Sequence, residues 1–549
     1  MEEMKIVDVI PMVRGIPTDT LSYFTLTDIP LGSVISVPIR KKNIHALVVG
    51  KREASEAKMD LKQADFSLRK LTKVKPFFIF STEFIRASEK TAKYFAGSTG
   101  SVFDSLVPEA ILENAEKLHY TPTTAKQNIL HEKFVVQAND EDRYAHYKSL
   151  IREEFAKNRS VIFCLPTVQD IKKALDTLPK GIEQYTYVLH GALPKKEIVE
   201  TWKELLEEKH SVLIIATGAF LSIPRTDVGT IIIDKESSRS YKGQVRPFID
   251  IRTFAGYLAE SIGARLVYGD MMLRVETIWR HDDGELHEMS PLKFRSLTTS
   301  EQKIIDMRTG NTVETKESED DSDFSSTEKS EPLTGATEQE KNNSKAFAVF
   351  SDEALELIKR TQEQSEHLFL FSARRGLAPS TVCGHCGTIV RCHHCNAPSV
   401  LHTTSDRENF FLCHRCGERR SALEKCKTCD SWKLVTLGIG TEKIEEELRT
   451  RFPTLKIFKI DADTAPTHKR AYQTAEKFYA SPGSVLIGTE MSLLYLTEKI
   501  ENTAVISIDS FFALPDFRIN ERILGILLKI RSITSKIGII QTRDSKEKI

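Results

Sequence analysis

Apolar runs of strand length alternate with charged stretches of helix length over most of this chain. A first series, FVVQ, VIFCL, YTYVL, VLIIA, TIIID and RLVYG, lies within residues 134–269, and a second, LFLFS, LKIFKI, SVLIG, AVISI and IGIIQ, follows residue 348. Strands that are apolar on both faces and alternate with helices are typical of a parallel sheet covered by helices. The pattern therefore predicts two tandem α/β lobes, one at 126–305 and one at 348–382 with 431–549.

The first residues follow a different pattern. Between 5 and 50, short apolar runs are separated by Pro30, Gly32 and Pro38, which predicts a small β domain. An amphipathic helix is predicted next, over 82–96, and we place the whole domain at 1–110. Arg40, Lys41 and Lys42 fall at a predicted hairpin turn, where a charged tip is typical of a solvated turn and also suits a phosphate backbone.

One segment lacks the apolar pattern. Residues 311–345 contain ten Asp/Glu and four Lys and almost no large apolar side chain. Such a segment cannot bury enough apolar surface to offset the entropy lost on ordering. We expect an acidic, disordered linker or insertion at 306–347.

Eight of the nine cysteines form four Cys-x-x-Cys pairs within 383–429. Two such pairs can fill the tetrahedral shell of one Zn²⁺, so the set predicts two Zn²⁺ per chain and a zinc module at 383–430, inserted in the second lobe. The spacing between pairs favours nesting. The inner ion would take Cys392, Cys395, Cys413 and Cys416, and the outer ion Cys383, Cys386, Cys426 and Cys429.

Two alternatives to this ligand set remain at the level of sequence. The cysteines could form disulfides, although nothing marks the chain as secreted. Histidines lie among them and could substitute as ligands, although the thiols already complete both shells; they are His385, His393, His394, His402 and His414.

Charge bears on function only locally. Lys+Arg and Asp+Glu both number 77, so the whole chain gives no electrostatic argument for nucleic acid. The module is basic and carries Phe410, Phe411 and Trp432, which suits nucleic acid and equally suits protein docking. The first residues do not resemble a signal peptide, and no apolar run is long enough to span a membrane. We expect a cytoplasmic protein without a membrane partner.

Five motifs flank the cysteines in order. They are Ala373-Arg374-Arg375-Gly376, Gly438-Ile439-Gly440-Thr441-Glu442, Asp461-Ala462-Asp463-Thr464, Ile487-Gly488-Thr489-Glu490-Met491 and Pro515-Asp516-Phe517-Arg518. Together with the cysteines they resemble the primosomal protein N′ family of bacterial replication-restart helicases. The resemblance implies two helicase-type (RecA-like) lobes, the nested zinc pairing, and an N-terminal domain that binds the 3′ end of a nascent DNA strand.

The same resemblance suggests DNA contacts in the N-terminal domain. Tyr23 and Phe24 could stack on a base, and Arg40, Lys41 and Lys42 could contact phosphates. The alternative is that the two aromatic residues belong to the core, because only one of two neighbours in a strand can face outward.

The family's ATPase motifs are altered in this sequence. The P-loop position reads Gln137-Ala138-Asn139-Asp140-Glu141-Asp142-Arg143-Tyr144, without glycine, with Arg143 in place of the lysine and Tyr144 in place of the metal-binding hydroxyl. The family's Asp-Glu-Glu-His becomes Asp234-Lys235-Glu236-Ser237, in which Asp234 could still meet Mg²⁺. Gly269-Asp270-Met271-Met272 and Lys529–Lys536 replace two further motifs, the second of them the source of an arginine finger. A degenerate nucleotide site with no catalytic residue is therefore expected at Arg143, Tyr144, Asp234, Lys235 and Glu236.

Two modules of the family are expected to be missing. The interval after Val107 is too short for the family's winged helix, and the sequence stops at Ile549 without its C-terminal domain. Three hypotheses follow. The first is a monomeric, non-catalytic replication-restart factor that binds single-stranded, forked or 3′-ended DNA, with other restart proteins and single-stranded-DNA-binding protein as partners. The second is an active ATP-dependent 3′–5′ helicase, and the third a protein-docking scaffold without DNA affinity.

Overall fold

The computed structural model describes residues 5–16, 18–53, 69–72, 74–120, 131–292, 299–308, 311–313, 348–372, 380–403, 409–437 and 439–545. The chain divides into two compact units, Met1–Arg295 and Ser296–Ile549. None of the helices in these described ranges has the length and apolarity of a membrane span.

A small sheet opens the first unit. Its strands are β1 (Lys5–Pro11), β2 (Leu21–Thr25), β3 (Val34–Ile39), β4 (Lys42–Glu53) and β5 (Arg69–Lys70). Their order is β3-β4-β1-β2-β5, and the neighbours are antiparallel apart from β2 and β5. This confirms the predicted β domain.

Three helices follow the small sheet: α1 (Thr82–Tyr94), α2 (Thr99–Leu106) and α3 (Glu109–Glu113). Ser81 caps α1 by accepting a hydrogen bond from the N–H of Phe84, as expected for an N-cap serine. The Phe84 ring meets Phe254 of the first lobe edge-on at 5.4 Å, and Lys90 pairs with Glu260 at 3.0 Å. The predicted helix is therefore present and packs on the first lobe.

The first lobe is built on a seven-stranded sheet in which every pairing is parallel. Its strands are β6 (Lys133–Gln137), β7 (Ser160–Cys164), β8 (Thr186–Leu189), β9 (Leu213–Ala216), β10 (Val228–Asp234), β11 (Arg265–Asp270) and β12 (His287–Glu288). Its helices are α4 (Asp140–Ala156), α5 (Val168–Leu175), α6 (Lys195–Glu207), α7 (Ile251–Ile262) and α8 (Val275–Asp282). The order β12-β6-β11-β10-β7-β9-β8 brings the turn after β6 and the end of β10 to the same edge.

The second unit contains the second lobe and the cysteine module. Its strands are β13 (Glu301–Asp306), β14 (Asn311–Val313), β15 (Leu368–Ser372), β16 (Ser380–Cys383), β17 (Val400–Thr403), β18 (Asn409–Leu412), β19 (Arg419–Ser421), β20 (Leu434–Leu437), β21 (Ile457–Ile460), β22 (Val485–Gly488), β23 (Ile500–Ser507) and β24 (Thr534–Thr542). Its helices are α9 (Asp352–Glu363), α10 (Thr441–Arg451), α11 (His468–Tyr479) and α12 (Ile519–Ile533). The lobe sheet runs β14-β13-β24-β23-β15-β22-β21 and is parallel apart from β14.

The boundary between the lobes differs from the prediction. Strand β13 pairs in parallel with β24, from Glu301 opposite Ile537 to Asp306 opposite Thr542, so the prediction that the first lobe extends to residue 305 is wrong. The run EQKIID is half charged, and it was missed because its apolar side shows only in Ile304 and Ile305. Most of the predicted acidic linker, 314–347, lies outside the described residues. The chain on either side of it belongs to the second unit, since the N–H of Ser351 donates to Gln541 Oε1 at 2.8 Å.

Candidate functional site

The eight module cysteines form two separate clusters of four thiols. One contains Cys383, Cys386, Cys426 and Cys429, the other Cys392, Cys395, Cys413 and Cys416, and within each cluster all sulfur atoms lie within 4.8 Å of one another. Two Sγ–Sγ contacts in the outer cluster measure 3.5 Å each, and two in the inner cluster measure 3.4 Å each. A tetrahedral Zn²⁺ with Zn–S bonds of about 2.3 Å holds its sulfurs about 3.8 Å apart. The donor set therefore fits zinc, with the predicted nesting.

Backbone N–H groups point at two of these sulfurs, and such hydrogen bonds favour the thiolate form. The N–H groups of His394 and Cys395 point at Cys392 Sγ, each at 3.4 Å, and those of His385 and Cys386 point at Cys383 Sγ. All eight are free thiols, so the disulfide alternative is wrong. No histidine of the described module residues belongs to either cluster; His402 and His414 instead contact each other, Nε2 to Nε2, at 2.9 Å.

The nesting is built into the strands of the module. The ladder between β16 and β20 brings the two halves of the outer cluster together. The separate three-stranded sheet β17-β18-β19 is formed by residues that lie between β16 and β20 in the sequence. Phe411 is buried, whereas Arg419 lies over the Phe410 ring at 3.9 Å. Trp432 is exposed, with Lys425 Nζ 5.6 Å from its ring.

At the strand end of the first lobe, a buried arginine occupies the turn after β6. Arg143, on the first turn of α4, donates from Nε to Asp234 Oδ1 at 2.6 Å and from Nη2 to Asp234 Oδ2 at 3.3 Å. Both side chains have no solvent exposure. Burial, the largest single effect, would lower the pKa of Arg143, but Asp234, Tyr147 and Asp140 together outweigh it and raise this pKa above its ordinary value, so the guanidinium stays charged.

Further partners complete the network around this pair. Tyr147 donates its hydroxyl to Asp234 Oδ1 at 2.8 Å, and Arg143 Nη1 donates to the carbonyl of Ala138 at 2.7 Å. Both Asp234 oxygens are thereby engaged, so the predicted availability of Asp234 for Mg²⁺ does not fit this arrangement. Tyr147 was missed in the sequence, although its i+4 spacing from Arg143 places both on one face of α4.

The acidic residues of the turn have a local role. Asn139 caps α4 by accepting from the N–H of Asp142 at 2.9 Å, and Asp140, Glu141 and Asp142 occupy the first turn. Helix N-termini attract anions such as phosphate. Here the chain's own carboxylates take that place.

The remaining residues predicted for this site are also engaged. Lys235 Nζ lies 2.5 Å from Asp170 Oδ1, and Tyr144 is buried, with its ring edge-on to Phe163 at 6.1 Å. Glu236 is fully buried; its Oε1 accepts from the N–H of Arg274 at 2.6 Å, while Oε2 has no hydrogen-bond partner. The structure thus brings five predicted residues to the same edge of the first-lobe sheet: Arg143, Tyr144, Asp234, Lys235 and Glu236.

Glu236 makes the first unit sensitive to pH. Burial raises its pKa from 4.5 to about 7, so the native state prefers the protonated form. The stabilising contribution is complete below pH 4.5 and is lost as pH rises to about 7, by roughly 3 kcal/mol. We expect Glu236→Gln to remove this dependence, so that its unfolding free energy falls less between pH 5 and 8 than that of the wild type (urea titrations followed by Trp202 fluorescence). Parallel pH profiles for the two proteins would contradict the assignment.

The N-terminal residues predicted to contact DNA are divided between core and surface. Tyr23 is buried, with its hydroxyl donating to the carbonyl of Pro38 at 3.1 Å, so the prediction that it stacks on a base is wrong; its neighbour Phe24 is half-buried. Arg40 and Lys41 form the two-residue turn between β3 and β4, since Ile39 pairs with Lys42. All three basic side chains are exposed.

Several family-like motifs stay predictions. Ala373-Arg374-Arg375-Gly376 and Gly438 lie outside the described residues. Of the segment predicted to lack an arginine finger, Lys529 and Arg531 lie on α12, and Lys536 at the start of β24 pairs with Glu366 at 2.5 Å.

No family model matches the chain, but curated relatives do. Replication restart protein PriA of Haemophilus influenzae is 25% identical over 386 residues, 70% of this chain and 48% of the relative. PriA of Chlamydia trachomatis serovar D is 27% identical over 489 residues, 84% of this chain and 60% of the relative. PriA of Helicobacter pylori is 23% identical over 545 residues, 96% of this chain and 78% of the relative. The chain spans about half the length of the first of these relatives.

The similarity of this chain to solved structures is low. S. cerevisiae Dbp5 bound to RNA and ADP BeF3 aligns with a TM-score of 0.39 and 8% identity, over 81% of this chain and 90% of Dbp5. RecG bound to a three-way DNA junction aligns with a TM-score of 0.35 and 10% identity, over 89% of this chain and 45% of RecG. Both scores are too low to carry an argument. The two parallel sheets and the two four-cysteine clusters define a two-lobed α/β chain with a zinc-type module. In sequence, the chain is similar to the replication restart proteins PriA of these three organisms.

Proposed function

We propose that this chain is a zinc-containing, DNA-binding factor of replication restart that binds forked or 3′-ended DNA without binding or hydrolysing ATP. The buried Arg143–Asp234 pair carries the proposal. A P-loop nucleotide site needs backbone N–H groups open to phosphates and a carboxylate open to Mg²⁺. Here Arg143 holds both oxygens of Asp234 and the carbonyl of Ala138.

Opening the site to nucleotide would be costly. Removing Arg143 from Asp234 would leave a buried carboxylate unpaired, a change worth about 3–5 kcal/mol. The phosphates would then meet the carboxylates of Asp140–Asp142 at the start of α4. These costs oppose the alternative of an active helicase with a divergent site.

Calorimetry with Mg-ATP on the purified, zinc-loaded chain tests the nucleotide half of the proposal. We expect no heat of binding at millimolar ATP and no DNA-stimulated hydrolysis. Micromolar affinity would overturn this half, whatever the turnover. Titration with a forked DNA at two salt concentrations tests the other half, because phosphate contacts impose a salt dependence on affinity. Absence of DNA binding would leave the protein-docking scaffold as the better function.

The exposed β3–β4 turn is the proposed DNA contact of the N-terminal domain. We expect the combined change of Arg40, Lys41 and Lys42 to Ala to weaken binding of single strands of any sequence and to lower the salt slope by up to about 2, because three phosphate contacts are lost. Fluorescence anisotropy with the full chain measures both quantities. The control variant changes Lys196, Lys203 and Lys209 to Ala. These lysines are also exposed, so the control removes the same charge of three as the test variant.

The same assay tests recognition of the strand end. A domain that binds a free 3′ end should prefer it to the same oligonucleotide carrying a 3′-phosphate. Equal affinities for the two would show that end recognition is absent.

A further inference from the structure

A groove lies on the second unit between the edge strand β21 and helix α11. Phe458 of β21 lines one side, and Lys469, Arg470, Gln473, Thr474 and Lys477 of α11 line the other. Strand β21 is the last strand of its sheet. The groove is therefore an open surface feature at the edge of the lobe.

The character of this groove follows from the orientation of α11. Ala471, Ala475 and Phe478 are buried and turn one face of the helix to the core, which leaves the opposite face to the groove. Lys469, Gln473 and Lys477 follow one another at i, i+4 and i+8, with about 6 Å between successive Cβ atoms. The α11 side chains that line the groove all carry hydrogen-bond donors, and Glu476, the only acid of α11, is not among them.

The aromatic side of the groove is held in place. The Phe458 ring is half-buried and meets Phe478 edge-on at 6.2 Å, so the core fixes one part of it. Lys456 Nζ lies 5.3 Å from the ring centroid. The groove thus offers a fixed ring flanked by cations.

We propose that this groove binds a segment of single-stranded DNA, with phosphates against Lys469, Arg470 and Lys477 and a base against Phe458. A basic track beside an aromatic platform is how proteins hold single strands without sequence preference. The inference rests on the proposed function and adds a second DNA site, on a different unit from the β3–β4 turn. An acidic peptide is the competing ligand, and the experiment separates the two.

The test uses the full chain and fluorescein-labelled oligo(dT). Changing Lys469, Arg470 and Lys477 to Ala should weaken binding at least tenfold and lower the salt slope by about 2. Phe458→Leu keeps an apolar side chain against Phe478 and should weaken binding on the order of tenfold with the salt slope unchanged, because only stacking is lost. The control changes Lys359, Arg449 and Arg451 to Ala, which removes the same charge from exposed helix positions; it should bind like the wild type.

The outcomes are distinguishable. If the wild type does not bind oligo(dT), the proposed function fails with this inference. If the wild type binds and the groove variants behave like the control, the groove proposal alone is overturned. If the groove variants lose binding to a poly-Glu peptide but still bind oligo(dT) like the wild type, the groove proposal is also overturned. The groove would then be assigned to an acidic protein.

Discussion

Arg143→Ala is expected to lower the unfolding free energy of the first unit by roughly 3–5 kcal/mol, because it leaves the Asp234 carboxylate buried without its countercharge. The truncation also frees the carbonyl of Ala138, which accepts from Arg143. Trp202 is fully buried in this unit, so its fluorescence in a urea titration reports the loss.

Two variants separate the ion pair from a general effect of mutation. Arg152 lies on an exposed position of α4, and Arg152→Ala should change stability by about 0.5 kcal/mol or less. The double variant Arg143→Met with Asp234→Leu removes both charges together and should be more stable than Arg143→Ala alone, because a buried pair can be replaced by apolar side chains at little cost. An Arg143→Ala protein as stable as the wild type would refute the proposed role of the pair.

Changing a single module cysteine should remove one metal and leave the other. Structural zinc sites bind with about 10–16 kcal/mol, and this binding free energy is folding free energy for the module. Cys392→Ser should therefore keep only the outer ion and lose amide protection in β17, β18 and β19. Cys383→Ser should keep only the inner ion and lose the β16–β20 ladder. Native mass spectrometry counts the metals, and hydrogen exchange locates the loss.

The ninth cysteine provides the control for this experiment. Cys164 is buried in β7 of the first lobe, and Cys164→Ala should retain two zinc ions. A wild type with one metal, or a Cys392→Ser protein that still binds two, would contradict the two-cluster arrangement.

Local patterns in the sequence were sufficient for most strands of the two lobes, although not for β13, and for the thiol clusters. Runs such as VLIIA and TIIID predicted β9 and β10 because strands buried on both faces are apolar throughout. The nested pairs were predictable because cysteine spacing restricts which thiols can share one tetrahedral ion. Both are short-range properties that a sequence displays directly.

Contacts between distant positions could not be predicted in the same way. The loss of the P-loop was visible, but Arg143 and Asp234 are 91 positions apart, and no local pattern indicates that they pair. The sequence displays the acids of residues 140–142, but only the structure shows that they occupy the N-terminus of α4. Tyr23 was left between base stacking and the core because alternation in a short strand does not reveal which of two neighbouring aromatic residues faces the core.

The placement of β13 has a consequence for any cut in the chain. Since β13 pairs with β24 and Ile305 is fully buried, cleavage within 314–347 would not separate the two units at a linker. It would give an N-terminal fragment that ends in a strand of the other fragment's sheet, held there by main-chain hydrogen bonds and by Ser545 donating to Asp306 at 2.7 Å. Two separately expressed halves divided in this segment would thus have a built-in means of reassembly, with one strand donated across the break.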